Sequence, residues 1–281
     1  MKRFICILFI VILFSCTNKK IETITNRIDS VGDKIFVTYR NSVILIKDDK
    51  RYKKNFYIKD YLIHNDNLFL INEGNIFGVE IKDDQININK IYDASDICIY
   101  KEKTFLLKRN RISIINKDGY KENILLTKKY DSFKVIEDIF IFRADNNLYL
   151  KRLENHRFKE IFKIEYVKFF ESFDYSIIYI DFENNIRKYD ITTNKDELVD
   201  TVPFLILNFK ICDNILLLYG ENVLELFYLD SKKIEIGKVE LLDASLSIKD
   251  NSIFILTHNK ISILDLTDKK IKKEITLIEQ M

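Results

Sequence analysis

A short apolar motif returns seven times along this chain. The copies are Ile35-Phe36-Val37, Leu68-Phe69-Leu70, Phe105-Leu106-Leu107, Ile139-Phe140-Ile141-Phe142, Ile177-Ile178-Tyr179-Ile180, Ile215-Leu216-Leu217-Leu218 and Ile253-Phe254-Ile255-Leu256. Ile35 and Ile253 are 218 residues apart over six intervals. The period is about 36 residues, inside the window of roughly 20 to 50 that marks stacked repeat architectures. A unit that short cannot bury its own apolar face, so each copy must pack on its neighbours.

The flanks repeat as well. A polar turn precedes each motif, as in Gly32-Asp33-Lys34, Asn65-Asp66-Asn67 and Asp250-Asn251-Ser252. A second turn follows it, and every copy carries Asn: Asn41, Asn72 with Asn75, Asn110, Asn146 with Asn147, Asn184 with Asn185, Asn222 and Asn259. Asn tolerates positive φ better than most residues, so it is expected to take the place of Gly in tight hairpins. An alternating segment comes next, such as Ile112-Ser113-Ile114-Ile115 or Ile261-Ser262-Ile263-Leu264. A third polar turn and a weaker alternating segment, as in Ile271-Lys272-Lys273-Glu274-Ile275, close each copy.

Each repeat therefore reads as four short antiparallel strands with a two-residue period. Ile, Val, Tyr and Phe supply the strand preference, and no long stretch has helical periodicity. The expected fold is all-β: a seven-bladed β-propeller of four-stranded blades over residues 27–281. A pair of β-sandwiches, or a count of six or eight blades, is the alternative. Six Gly and one Pro in 281 residues are few for so many turns, which Asn, Asp, Lys and Ser must then fill.

Two segments carry a family likeness. Tyr189-Asp190-Ile191-Thr192-Thr193-Asn194-Lys195 and Leu264-Asp265-Leu266-Thr267-Asp268-Lys269 resemble the aliphatic-Asp-aliphatic-x-Thr-x-Lys segment of quinoprotein-like and related (YVTN-like) bacterial propellers. The resemblance supports the fold and says little about activity. Quinoprotein enzymes of that class need a Trp floor, and this chain has no Trp.

The N-terminus reads as an address. Lys2 and Arg3 precede an unbroken apolar run from Phe4 to Phe14. At ~1.5 Å per residue such a run is far too short for a ~30 Å bilayer core but suits a secretory h-region. It ends in Leu13-Phe14-Ser15-Cys16, which resembles the lipobox of bacterial lipoproteins, with Phe14 bulkier than usual. The resemblance implies a signal peptide over 1–15, cleavage between Ser15 and Cys16, and a thioether-linked diacylglycerol on Cys16. Residues 16–26 become a short tether. Lys2 and Arg3 account for the whole formal charge of +2, so the mature body is neutral and acyl chains, not electrostatics, would hold it at a membrane. The alternative is an ordinary secretory signal in which Cys16 is incidental.

Few residues suggest chemistry. Cys98 and Cys212 lie in apolar stretches three repeats apart, too far for a disulfide, and are expected as buried thiols. His64, His156 and His258 lack metal-ligand spacing. The pairs Asp48-Asp49 and Asp83-Asp84 come without a calcium-loop pattern and read as solvated turns. There is no Gly-rich phosphate loop or nucleophile elbow. No catalytic residue, metal or cofactor is expected, a small-molecule ligand is not indicated, and the charge balance does not point to nucleic acid.

One charge pattern stands out. Arg40, Arg109, Arg111 and Arg143 fall in or beside the Asn-bearing hairpins of repeats one, three and four, while Asp181, Glu183 and Glu221 fall in five and six. Such a rim would orient a protein partner, against the alternative of ordinary solvated loop tips. The leading reading is a lipid-anchored, non-catalytic docking platform in the bacterial cell envelope, facing the periplasm. By resemblance, lipid-anchored propellers of this kind serve in outer-membrane protein assembly. A surface-exposed lipoprotein binding a host or environmental ligand is a second reading. The third is a degenerate propeller enzyme with a central-channel ligand near His64 and Tyr100.

Overall fold

The computed structural model describes residues 27–39, 41–212, 214–220, 222–229, 232–237 (232–236 as backbone only), 241–247 and 250–277. The signal segment, Cys16, Arg40 and Glu221 lie outside them. Among the described residues no helix is long and apolar enough to cross a membrane.

Seven four-stranded antiparallel sheets follow one another, each built from four consecutive strands. This is the seven-bladed β-propeller. The first strands of the blades lie around the axis: Arg27–Val31, Asp60–His64, Asp96–Tyr100, Ser132–Ile136, Val167–Phe173, Asn208–Cys212 and Asp243–Ser247. The repeated apolar motifs form the second strands, which are almost wholly buried in Ser176–Asp181, Ile215–Tyr219 and Ser252–Leu256. Fourth strands such as Lys50–Asn55 and Ile271–Thr276 face solvent along most of their length. The gradient explains the sequence pattern: a strand covered on both faces reads as a continuous apolar run, one at the rim as alternation or less.

The core is a set of layers between blades. Phe36, Val43 and Leu45 pack against Leu68, Leu70 and Ile86 of the next blade. Phe105 and Leu107 meet Phe140 and Phe142. Burying each such side chain contributes roughly 1.5–3 kcal/mol, so the apolar motif of one repeat is stable only beside another.

The ring closes between the last blade and the first with no strand exchanged among the described residues. Ile28, Val37 and Tyr39 pack against Phe254, Leu256 and Leu277. Near the axis the fully buried Asp243 carboxylate accepts the Ile28 N–H at 2.8 Å, the Lys210 ammonium at 3.2 Å and the Tyr219 hydroxyl. Ser245 donates to Asp29 at 2.6 Å. At the rim Arg51 donates to the Leu277 carbonyl at 3.1 Å.

Because strands alternate in direction, the loops joining second to third strands share one face with the crossovers between blades. The other two loop sets lie on the opposite face. Turn chemistry departs in part from expectation. Asn41, Asn146 and Asn184 have positive φ, but Asn72, Asn75, Asn110, Asn147, Asn222 and Asn259 do not. In blade 2 the turn is Glu73-Gly74, and in blade 3 Arg109 takes the left-handed conformation. Asn75 and Asn147 act instead through their side chains, donating to the Glu73 and Asp145 carbonyls. Both members of Asp48-Asp49 and of Asp83-Asp84 have positive φ, as a two-residue hairpin of that kind requires. The Asp of the propeller-like segments also serves a turn. Asp190 accepts the N–H groups of Thr192 and Thr193, each at 2.8 Å, and Asp265 those of Thr267 and Asp268.

Candidate functional site

Two places concentrate polar or apolar groups without burying them fully: the central channel and the crossover face. The channel holds a cavity of about 1020 Å³ lined mainly by the first strands of blades 1 to 6. Charged side chains project from the same strand position in successive blades. Lys134 pairs with Glu171, Lys210 lies 3.7 Å from Asp29, and Tyr61 donates to Asp29 at 2.9 Å. Burial pushes the Cys98 thiol up to about 11, so it stays protonated at neutral pH and is a poor nucleophile. Cys98 and Cys212 are half-buried thiols in blades 3 and 6 rather than fully buried ones. Tyr100 lines the cavity, and His64 is not among its lining residues.

Asp96, in the channel wall, accepts the Ile97 N–H at 2.8 Å and the Phe133 N–H at 2.9 Å. Burial outweighs those bonds, and with the neighbouring Asp60 charge it raises the carboxyl to about 7. That poises Asp96 to exchange a proton near neutrality. Among the described residues no three His, Cys, Asp or Glu come together as metal ligands.

The charged rim is only partly assembled. Arg109 and Arg111 are exposed at the blade 3 hairpin and Glu183 at the blade 5 hairpin, all on the crossover face. Arg143 is not a loop-tip residue. It lies in the second strand Ile139–Ala144, lines the channel and donates to the Lys168 carbonyl at 2.9 Å. Asp181 is turned to its own loop, where it accepts the N–H groups of Glu183 at 2.9 Å and Asn185 at 3.0 Å.

What charge reading missed is an apolar surface on the same face. The crossover from blade 5 to blade 6 buries Val202 and Ile206 but leaves Leu205 62% and Leu207 49% exposed. It is held from three sides. Lys168 donates to the Ile206 carbonyl at 2.7 Å, the Leu207 N–H donates to Tyr219 at 2.9 Å, and the segment presses on Gly220. A Cβ at Gly220 would sit 2.7 Å from the Leu205 carbonyl and 2.8 Å from the Phe204 ring. Exposed Phe182 and Tyr166 stand on the neighbouring hairpin and crossover. The signal was available: Val202-Pro203-Phe204-Leu205-Ile206-Leu207 is an apolar run in a connection, where polar turn residues are the rule.

No family model and no curated protein matches the chain. Solved structures do. PorZ, an essential bacterial surface component of the type-IX secretion system of Porphyromonas gingivalis, superposes with a TM-score of 0.64 at 11% identity, over 92% of this chain and 38% of that one. A streptogramin B lyase gives 0.57 at 15% identity, over 84% and 90%. AztD from Citrobacter koseri gives 0.54 at 14% identity, over 91% and 87%. At these identities the likeness is one of fold, and the fold is shared by a secretion component and a lyase alike.

Proposed function

We propose that this protein is an exported lipoprotein, anchored through Cys16, whose propeller is a non-catalytic scaffold for a protein partner. The observation that carries the reading is the rigid crossover from blade 5 to blade 6, which holds Leu205 and Leu207 in solvent. Large apolar side chains held exposed on one face favour an interaction site there. The first described strand starts at Arg27 on the crossover face. The ten residues from Thr17 to Asn26 reach at most ~35 Å when extended, so the anchor would turn this face toward the membrane. A partner docked there would itself be membrane-bound or membrane-proximal, which suits a role in outer-membrane protein assembly.

The test is site-specific photo-cross-linking from position 205 in cells. One discrete protein adduct is expected, drawn from the assembly machinery and lost in the double variant Leu205→Asp, Leu207→Asp. Absence of any adduct would remove the scaffold reading. Cys16→Ala should release the body from the membrane fraction, and its retention there would remove the anchor. Degradation by protease added to intact cells would favour display on the surface over a periplasmic position.

Asp96 favours a second reading, a central-channel ligand site. A screen of small metabolites by thermal shift, in which a hit is lost on Asp96→Asn, would support it.

A further inference from the structure

Beside the exposed crossover, blades 4 and 5 leave a groove of about 670 Å³, within the usual range for sites that enclose a ligand group. One wall is the end of the blade 4 strand Arg157–Ile164 with the crossover residues Glu165 and Tyr166. The other is the blade 5 hairpin around Phe182 and Glu183. The base is fixed. Phe162 stacks on Tyr189 at 4.8 Å and 14°, Arg187 bonds Asp196 at 2.9 Å, and Tyr179 donates to Asp196 at 2.8 Å.

Three aromatic rings at the groove remain in solvent: Tyr166 is 70% exposed, Phe182 53% and Phe162 40%. Tyr166 also has a φ of +60°. A bulky residue in that region is a strained outlier costing on the order of 1–3 kcal/mol, and a ring left in water recovers none of it by burial. Strain of this kind is kept where the side chain has a task. The charges at the groove do not cancel. Its two cations are matched, Lys163 with Glu165 at 2.5 Å and Arg187 with Asp196, which leaves the Asp181 and Glu183 carboxylates as a net negative edge.

We infer that this groove takes a short segment of a partner polypeptide in which an aromatic or branched aliphatic side chain is flanked by Lys or Arg. The apolar residue would enter between Phe162, Tyr166 and Phe182, and a flanking cation would meet Glu183, with Asp181, bound to its own loop, adding negative potential behind it. A bilayer is the poorer fit, because the site is concave and its acidic edge opposes an anionic lipid surface. The inference rests on the scaffold reading but fails separately: groove binding is measurable even if position 205 yields no adduct.

The experiment pans a random heptapeptide display library on the lipidated full chain in detergent. The chain has no Trp, so Tyr166→Trp supplies a single fluorescent reporter at the groove. The expected consensus is an aromatic or aliphatic residue beside Lys or Arg. Phe182→Ala should weaken the selected peptides by roughly tenfold, with rescue by Phe182→Tyr. Glu183→Gln should weaken them by roughly threefold and flatten their salt dependence. No enrichment, an acidic or uncharged consensus, or peptides that bind Phe182→Ala as tightly as the parent would overturn the inference. Quenching of the same reporter by brominated phosphatidylglycerol vesicles in the Cys16→Ala chain, which lacks the anchor, would assign the groove to lipid and overturn it equally.

Discussion

At the scale of single residues, the hairpins depend on side chains that tolerate a left-handed backbone. Asp48, Asp49, Asp83, Asp84, Asp145 and Asn146 meet that demand, since short polar side chains accept the region most readily after Gly. Arg109 meets it less well, at φ +55° on an exposed turn. Arg109→Asn should therefore raise stability by roughly 0.5 kcal/mol, read as a higher urea midpoint at unchanged slope. Asp96 gives a pH-dependent prediction. Its carboxyl is raised from 3.8 to about 7 in the folded chain, so the folded state holds a proton that the unfolded state has already released. That contribution is full below about 3.8, and stability is lost as pH rises from there to about 7. In thermal melts across this window Asp96→Asn should gain stability relative to the parent as pH rises; parallel pH profiles for the two would refute the assignment.

At the scale of elements, position in the blade decides which residues a strand can carry. Second strands are apolar on both faces because blades cover them on both sides. Fourth strands such as Lys50–Asn55 are charged edges, and five blades add a register shift between third and fourth strands. Charge and irregularity both guard an open edge against pairing with another chain. The crossover from blade 5 to blade 6 follows a different rule, since it is apolar and rigid where a connection is normally polar. Its fit against Gly220 has little slack. Gly220→Ala should cost roughly 1–3 kcal/mol by forcing the Leu205 carbonyl and the Phe204 ring away. It should also weaken the position-205 adduct, which separates it from a purely local change.

At the scale of the whole molecule, the ring is held by packing and by one buried carboxylate at the seam. Asp243 gathers Ile28, Lys210 and Tyr219 from blades 1 and 6. Asp243→Ala would take the acceptor from the buried Ile28 N–H and the Tyr219 hydroxyl, while Lys210 keeps the Ile28 carbonyl and Asp29, and should cost roughly 1–3 kcal/mol. Hydrogen exchange is expected to rise first at the junction of blades 7 and 1; exchange that rises evenly around the ring would count against this seam. The seven repeats, their four strands and the ring were all legible in the sequence, because periodic burial leaves a periodic apolar pattern. The channel-facing place of Arg143 and the inward turn of Asp181 were not, because a charge beside a hairpin reads alike whether it points to solvent or to its own backbone. The groove was equally hidden. Phe162, Tyr166, Phe182 and Glu183 are separated by up to 21 residues and belong to two blades. Sequence alone determined the repeat and the fold that repetition forces. Only the tertiary structure decided which apolar side chains stay in water, since exposure depends on how neighbouring blades meet and no single repeat contains that information.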